Sequence, residues 1–180
     1  MLTITCPDAT ATQALGAALA PHLGAGDLLV LTGGLGAGKT TFTQGLASGL
    51  NVEGTVTSPT YIVARIHPSK GAGPDLVHVD AYRIDSLADL ETLDLDTTLD
   101  EAITVVEWGA STIDALHHDY LDIVIDRESG GALNAATHSA GGTIDLSGLD
   151  DGARTITFTP HGSQWERRLT EIAPHLMPTL

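Results

Sequence analysis

Gly33-Gly-Leu-Gly-Ala-Gly-Lys-Thr40 sets what is expected of everything around it in this chain. It satisfies the phosphate-binding spacing G-x-x-x-x-G-K-[ST], with Gly33 opening the loop and Gly38, Lys39 and Thr40 closing it. A glycine-rich turn between two elements would match as well, so the flanks carry the decision. Before it, Asp27-Leu-Leu-Val-Leu-Thr32 is short and apolar, as a buried strand would be. After it, Thr41 to Leu50 places Phe42 and Leu46 on one helical face. Strand, glycine loop and helix in that order suit a nucleoside triphosphate. Glycines at 33, 34, 36 and 38 let successive N–H groups turn inward around phosphates, and the helix beginning near Lys39 adds its unpaired N–H groups and positive dipole end. Lys39 is expected to reach the terminal phosphates and the Thr40 hydroxyl a Mg²⁺ ion, with Thr41 beside them at the helix start.

Composition narrows the partners. The 180 residues, 42% hydrophobic, suit one domain with its own core. Eight Lys and Arg against 23 Asp and Glu give a formal net charge of -15, a surface that repels nucleic acid and anionic membrane. Any role near RNA would therefore run through a partner that supplies positive charge. Cys6 is the single cysteine, so no intrachain disulfide or cysteine-rich zinc cluster can form, which fits a reducing compartment. The N-terminal region has no charged stretch followed by an apolar run, and no apolar stretch is long enough to cross a bilayer, so a cytoplasmic protein is expected.

Along the chain, Leu2 to Cys6 is expected to be an edge strand, followed by a helix capped by Asp8 and running toward Leu23. Strands are expected at Tyr61 to Ile66, Leu76 to Val79, Ile103 to Val106, Tyr120 to Asp126 and Arg154 to Thr159. Helical segments are expected after Ser86, near Thr97 or Thr98, over Ala110 to Leu116, and after a capping Ser163 with Trp165, Leu169 and Ile172 inward. The stretch at about 129–152 is rich in Gly, Ala, Ser and Thr and reads as a long loop or insertion, with a brief strand near Thr143 to Leu146. Strands alternating with helices around a glycine loop imply an α/β sheet with ligand at the strand carboxyl ends. The strands near Tyr61 and Leu76 are too close in sequence for a crossover helix, so part of the sheet is antiparallel.

Two carboxylates terminate apolar strands, Asp80 after L-V-H-V and Glu107 after I-T-V-V. Both are assigned to the neighbourhood of Mg²⁺ and the attacking water, with the choice of water-polarising residue left open. Thr57, Ser58, Pro59 and Thr60 form a hydroxyl-rich loop where switch segments of nucleotide hydrolases lie, or simply a capped turn before a strand. Arg83 either completes the phosphate surroundings or pairs with one of the many acids. The eight histidines show no spacing that suggests zinc.

Taken together, G-x-L-G-A-G-K-T-T-F, T-S-P-T, H-V-D-A-Y-R and V-V-E-W-G resemble the bacterial TsaE (YjeE-like) family, over about Asp27 to Gly109. The resemblance implies an α/β, P-loop NTPase-like three-layer fold with a mixed, mostly parallel central sheet. It implies an ATPase of tRNA threonylcarbamoyladenosine biosynthesis, with ATP or ADP and Mg²⁺, that binds the proteins TsaD and TsaB and meets tRNA only through them. It further implies phosphate contacts from Gly36, Ala37, Gly38 and Lys39, Mg²⁺ contacts from Thr40 and Glu107, catalysis by Asp80, a switch-like loop over Thr57 to Thr60, and Trp108 near the site. Many members carry Asp where this chain has Gly34. Two other classes stay open. A small kinase would need an arginine-bearing lid, for which only Arg65, Arg83, Arg127, Arg154, Arg167 and Arg168 are available. A nucleotide-sensing module would bind ATP and barely hydrolyse it.

Overall fold

The computed structural model describes residues 1–58, 64–81, 100–108, 119–127 and 152–177. Among these residues seven strands form one sheet: β1 (Leu2–Cys6), β2 (Leu28–Thr32), β3 (Ala64–His67), β4 (Leu76–Asp80), β5 (Ile103–Glu107), β6 (Tyr120–Arg127) and β7 (Arg154–His161). Their spatial order is β1-β7-β6-β2-β5-β4-β3. Among the described residues three α-helices accompany them: α1 (Ala9–Leu19), α2 (Lys39–Leu50) and α3 (Gly162–Leu176). This is an α/β fold with a mixed sheet. The parallel character is confined to the middle, where β6, β2, β5 and β4 run together, while β3, β7 and β1 join antiparallel. Parallel and antiparallel pairings are thus equal in number, fewer parallel than expected. β3 and β4 are joined by a hairpin-length connection, and β7 returns beside β6 antiparallel to it.

Alternation along the strands explains the layering. Leu76, Ile103, Val105, Leu29, Leu31, Leu121, Ile123, Ile125, Ile156 and Phe158 share the core that also holds Phe42 and Leu46 of α2 and Trp165 and Leu169 of α3. Leu28, Val30, Val77, Val79 and Val106 form a second cluster from the alternate positions, as period-two side chains on two opposite faces must. Full burial of a side chain such as Phe42 stabilises by roughly 1.5–3 kcal/mol, and both faces of the central strands are filled this way.

α1 and α2 pack almost backbone to backbone. A Cβ on Gly45 would lie 1.9 Å from the Gln13 carbonyl oxygen, and one on Gly16 would lie 2.3 Å from that of Phe42. Hydrogen at these positions is what lets α1 lie across α2 and hold the start of α2 in place. Asp8 caps α1 as expected, accepting from the Ala11 N–H at 2.7 Å. Ser163 does not cap α3: the helix starts at Gly162 with His161 before it and no side-chain cap, because Gly162 takes a left-handed φ of 80° that turns the chain into the helix one residue early. α2 begins at Lys39, where the loop reading expected it, and β7 extends to His161. The expected helices after Ser86, near Thr97 and over Ala110 to Leu116, most of the Gly/Ala-rich stretch, Pro59, Thr60 and Arg83 lie outside the described residues.

Candidate active site

The strand alternation that builds the core also builds the site. On the face covered by α2, each central strand changes from apolar to charged at the same edge: Leu76 and His78 lead to Asp80, Ile103 and Val105 to Glu107, and Ile123 and Ile125 to Arg127. β7, running the other way, contributes Arg154 in register with Arg127. β2 stops at Thr32, and the glycine loop rises between these charges. A cavity of about 620 Å³ opens there, lined by loop residues Leu35, Gly36, Gly38, Lys39, Thr40 and Thr41 and by Ser58, Asp80, Glu107, Trp108, Arg127 and Arg154.

The loop is shaped by two close constraints. A Cβ on Gly33 would fall 2.3 Å from the Ile125 carbonyl oxygen, so the loop leaves β2 pressed against β6. Gly38 holds φ 116° immediately before α2, a conformation that L side chains avoid. Gly34 has no heavy atom within 4 Å of a Cβ placed on it, so packing would admit the Asp that the family resemblance implies for this position.

Lys39 is buried and folds back on the loop, its Nζ donating to the carbonyl oxygens of Gly33 at 2.9 Å and Gly34 at 3.1 Å. The ammonium lies 3.7 Å from the centre of the Trp108 ring. Burial pushes the Lys39 pKa below its ordinary value, and the nearby Glu107 and Asp80 carboxylates oppose that shift. Trp108 takes a left-handed φ of 65°, which costs a non-glycine residue roughly 1–2 kcal/mol. Its own N–H bonds to the Leu31 carbonyl at 3.1 Å, and the Ala81 N–H to that of Glu107 at 2.8 Å, which fixes the turn that places the indole under Lys39.

Glu107 is the centre of the acidic wall. Its Oε1 accepts from the Thr40 hydroxyl at 3.0 Å and lies 2.9 Å from His78 Nε2. All three groups are held by regular structure: Thr40 in the first turn of α2, Glu107 at the end of β5, and His78 inside β4. Asp80 is paired in register with Glu107 and is likewise buried. Hydroxyl and carboxylate oxygens are the hard donors that Mg²⁺ takes. Among the described residues no three His, Cys, Asp or Glu side chains gather into an all-protein metal centre. The donor set therefore suits an ion that completes its shell with phosphate oxygens and water.

Most of the expected site residues come together. Gly36, Gly38, Lys39, Thr40, Thr41, Asp80, Glu107 and Trp108 line one cavity, while Gly33 serves it through its carbonyl and Ala37 is buried beneath it. Ser58 reaches the cavity, whereas Thr57 accepts a bond from Arg65 at 3.2 Å. The segment is tied to α2 by the Gln44 amide, which donates to the Val56 carbonyl at 3.0 Å. His78, Arg127 and Arg154 were not singled out from sequence. The available signal was positional: each continues an apolar alternation, two residues from Asp80, Ile125 or Ile156, on the face that α2 covers.

Fold and site together define an α/β protein with a glycine-loop cavity that carries its acids on one side of β2 and its guanidinium groups on the other. Comparison with known proteins supplies the family. The family model described as "Threonylcarbamoyl adenosine biosynthesis protein TsaE" matches residues 6–134. A tRNA threonylcarbamoyladenosine biosynthesis protein TsaE of Streptomyces coelicolor is 53% identical over 138 residues, covering 76% of this chain and 90% of that protein. The protein of the same name from Bacillus subtilis is 34% identical over 165 residues, covering 91% and 89%. The crystal structure of Bacillus subtilis YdiB superposes with a TM-score of 0.69 at 30% identity, covering 97% of this chain and 95% of that one. The chain belongs to the TsaE family, whose members serve tRNA threonylcarbamoyladenosine biosynthesis.

Proposed function

We propose that this protein is a P-loop ATP hydrolase that supports N6-threonylcarbamoyladenosine modification of tRNA by binding the TsaD–TsaB pair and letting it turn over. The observation that carries this reading is the 3.0 Å contact between Thr40 Oγ1 and Glu107 Oε1 at the mouth of the glycine loop, with Lys39 beside them. Lys39 exchanges its loop carbonyls for the terminal phosphates, a charge-assisted bond replacing two neutral acceptors. The N–H groups at the start of α2 orient the same phosphates. Thr40 and Glu107 would hold Mg²⁺, which when bound offsets charge gathering on the transferring phosphoryl oxygens. Asp80, one strand away, orients the attacking water and takes its proton.

An acidic chain with this site acts near tRNA without gripping it, so the RNA contact falls to the partner proteins. No helix among the described residues is long and apolar enough to cross a membrane. We place the reaction in the cytoplasm, on a single domain spanning the chain. The test is ADP release from Mg·ATP by the purified chain, alone and with TsaD and TsaB, without a phosphoryl acceptor. Hydrolysis that rises with the partners and disappears in Glu107→Ala is expected. ATP that binds but stays intact even with the partners would overturn the hydrolase and leave a nucleotide sensor.

A further inference from the structure

Resting on that reading, we propose that Arg127 and Arg154 form the α-phosphate end of the nucleotide site, across the glycine loop from Thr40 and Glu107. Strand order sets the direction. Glu107 and Asp80 stand on one side of β2, at the ends of β5 and β4, and the two arginines stand on the other, where β6 meets β7. A polyphosphate whose terminal group lies at Thr40 and Glu107 and follows the loop has its α-phosphate toward the arginines.

Arg127 and Arg154 are paired in register, and both line the cavity. Arg154 is only 1% exposed; its Nη1 donates to the Gly152 carbonyl at 2.8 Å, and its Nε lies 3.4 Å from the place of a Cβ on Gly38. The guanidinium is thus seated against the last loop residue before α2. The charge distribution points the same way. A chain of net charge -15 has eight basic residues, and Lys39, Arg127 and Arg154 all line this one cavity. Desolvating a guanidinium is costly, and a planar fork of donors matches a phosphate group. Arg154 also lies beyond residues 6–134, the segment matched by the family model.

The α-phosphate is common to ATP and ADP, and no metal is needed to reach it. The arginines are therefore expected to strengthen both nucleotides equally, with or without Mg²⁺, whereas Glu107 acts only when Mg²⁺ is present. The experiment is calorimetric titration of the full chain with ADP and with ATP, in Mg²⁺ and in EDTA, for wild type, Arg127→Met, Arg127→Lys and Arg154→Lys, each first checked for an unchanged unfolding midpoint. Arg127 is the primary target because it is less buried than Arg154. Arg127→Met is expected to weaken ADP and ATP by the same factor, roughly ten- to hundredfold, in both buffers, with Arg127→Lys recovering part of the loss. In turnover it raises KM and leaves kcat in place.

Unchanged affinities in Arg127→Met and Arg154→Lys would overturn the assignment. So would a loss confined to ATP, which would put the arginines at the γ end. An equal loss in Arg127→Met and Arg127→Lys would show that positive charge at this position does not carry the effect, and would also overturn it. Failure of wild type to bind either nucleotide would instead overturn the ATPase reading on which the assignment rests.

Discussion

β2 has charged groups at both ends, and they are arranged in opposite ways. At its start, Asp27 is clamped by Arg168 of α3 through two bonds of 2.5 and 2.6 Å, while its carboxylate also accepts from the Gly24 N–H at 2.8 Å. Arg168 adds a bond to the His22 carbonyl at 2.8 Å and lies 4.2 Å from the centre of the Trp165 ring. Its bond to Asp27 raises its pKa, the mark of a cation satisfied within the fold. At the other end, Lys39, Asp80, Glu107, Arg127 and Arg154 surround open volume, and burial pushes the Lys39 pKa down. The first set is closed on itself away from any cavity and supports folding; the second also bonds within the fold but lines a cavity, and burial there costs the Lys39 ammonium desolvation.

A substitution at one end of β2 is expected to leave the other end's property alone. The largest effect is expected from Lys39→Ala: ATP and ADP affinity should fall roughly 10- to 150-fold, the value of charged hydrogen bonds lost, by calorimetry. The pH dependence of its urea unfolding should lose the part that Lys39 contributes. The sign follows from linkage: a folded pKa below the unfolded one means the charged form weakens folding, and stability rises with pH between the two values. A Lys39→Ala protein that binds nucleotide as wild type does would break the contrast.

His78→Ala comes next. His78 is buried and touches Glu107 rather than the cavity, so it positions the carboxylate. Mg²⁺-dependent turnover should drop roughly ten- to hundredfold, and Mg²⁺-free ADP affinity should be unchanged. Part of the turnover should return in His78→Gln, which keeps a donor. Equal damage to Mg²⁺-free binding would mean that His78 supports the whole loop.

The smallest effect sharpens the other end. Arg168→Ala leaves the Asp27 carboxylate with one bond from Gly24, and should cost about 1–2 kcal/mol in urea unfolding, discounted because the Arg168 side chain is partly exposed. Nucleotide affinity should not move. A weaker nucleotide complex in this variant would show that the two ends are coupled through β2.

The loop and its flanking elements were legible because their signals are local. Short, mostly apolar runs that end at a glycine or an acid mark β2, β4 and β5, and Asp8 announced α1. Asp80 and Glu107 could be singled out because a carboxylate that ends an apolar strand stands out in one dimension. His78 could not, since its meaning lies in a partner 29 residues away. The arginines were hidden because β7 is antiparallel to β6, which brings the first residue of one beside the last residue of the other. Gly16 and Gly45 carry no local signal of their role, since glycine is a poor helix former and only the folded pair shows two backbones meeting there.

Local chemistry was enough for the strand–glycine loop–helix unit, for the hydroxyl and carboxylates of the acidic wall, and for the single-cysteine, strongly acidic character of the chain. Those properties depend on residue type and on spacings of a few residues, which covalent geometry converts directly into direction and face. Register and strand order decided the rest: that His78 seats Glu107, that two arginines oppose the acids, and that α1 lies close enough to hold α2. Each of these needs two segments far apart in sequence to meet at one height on one face, and only the folded sheet sets that height.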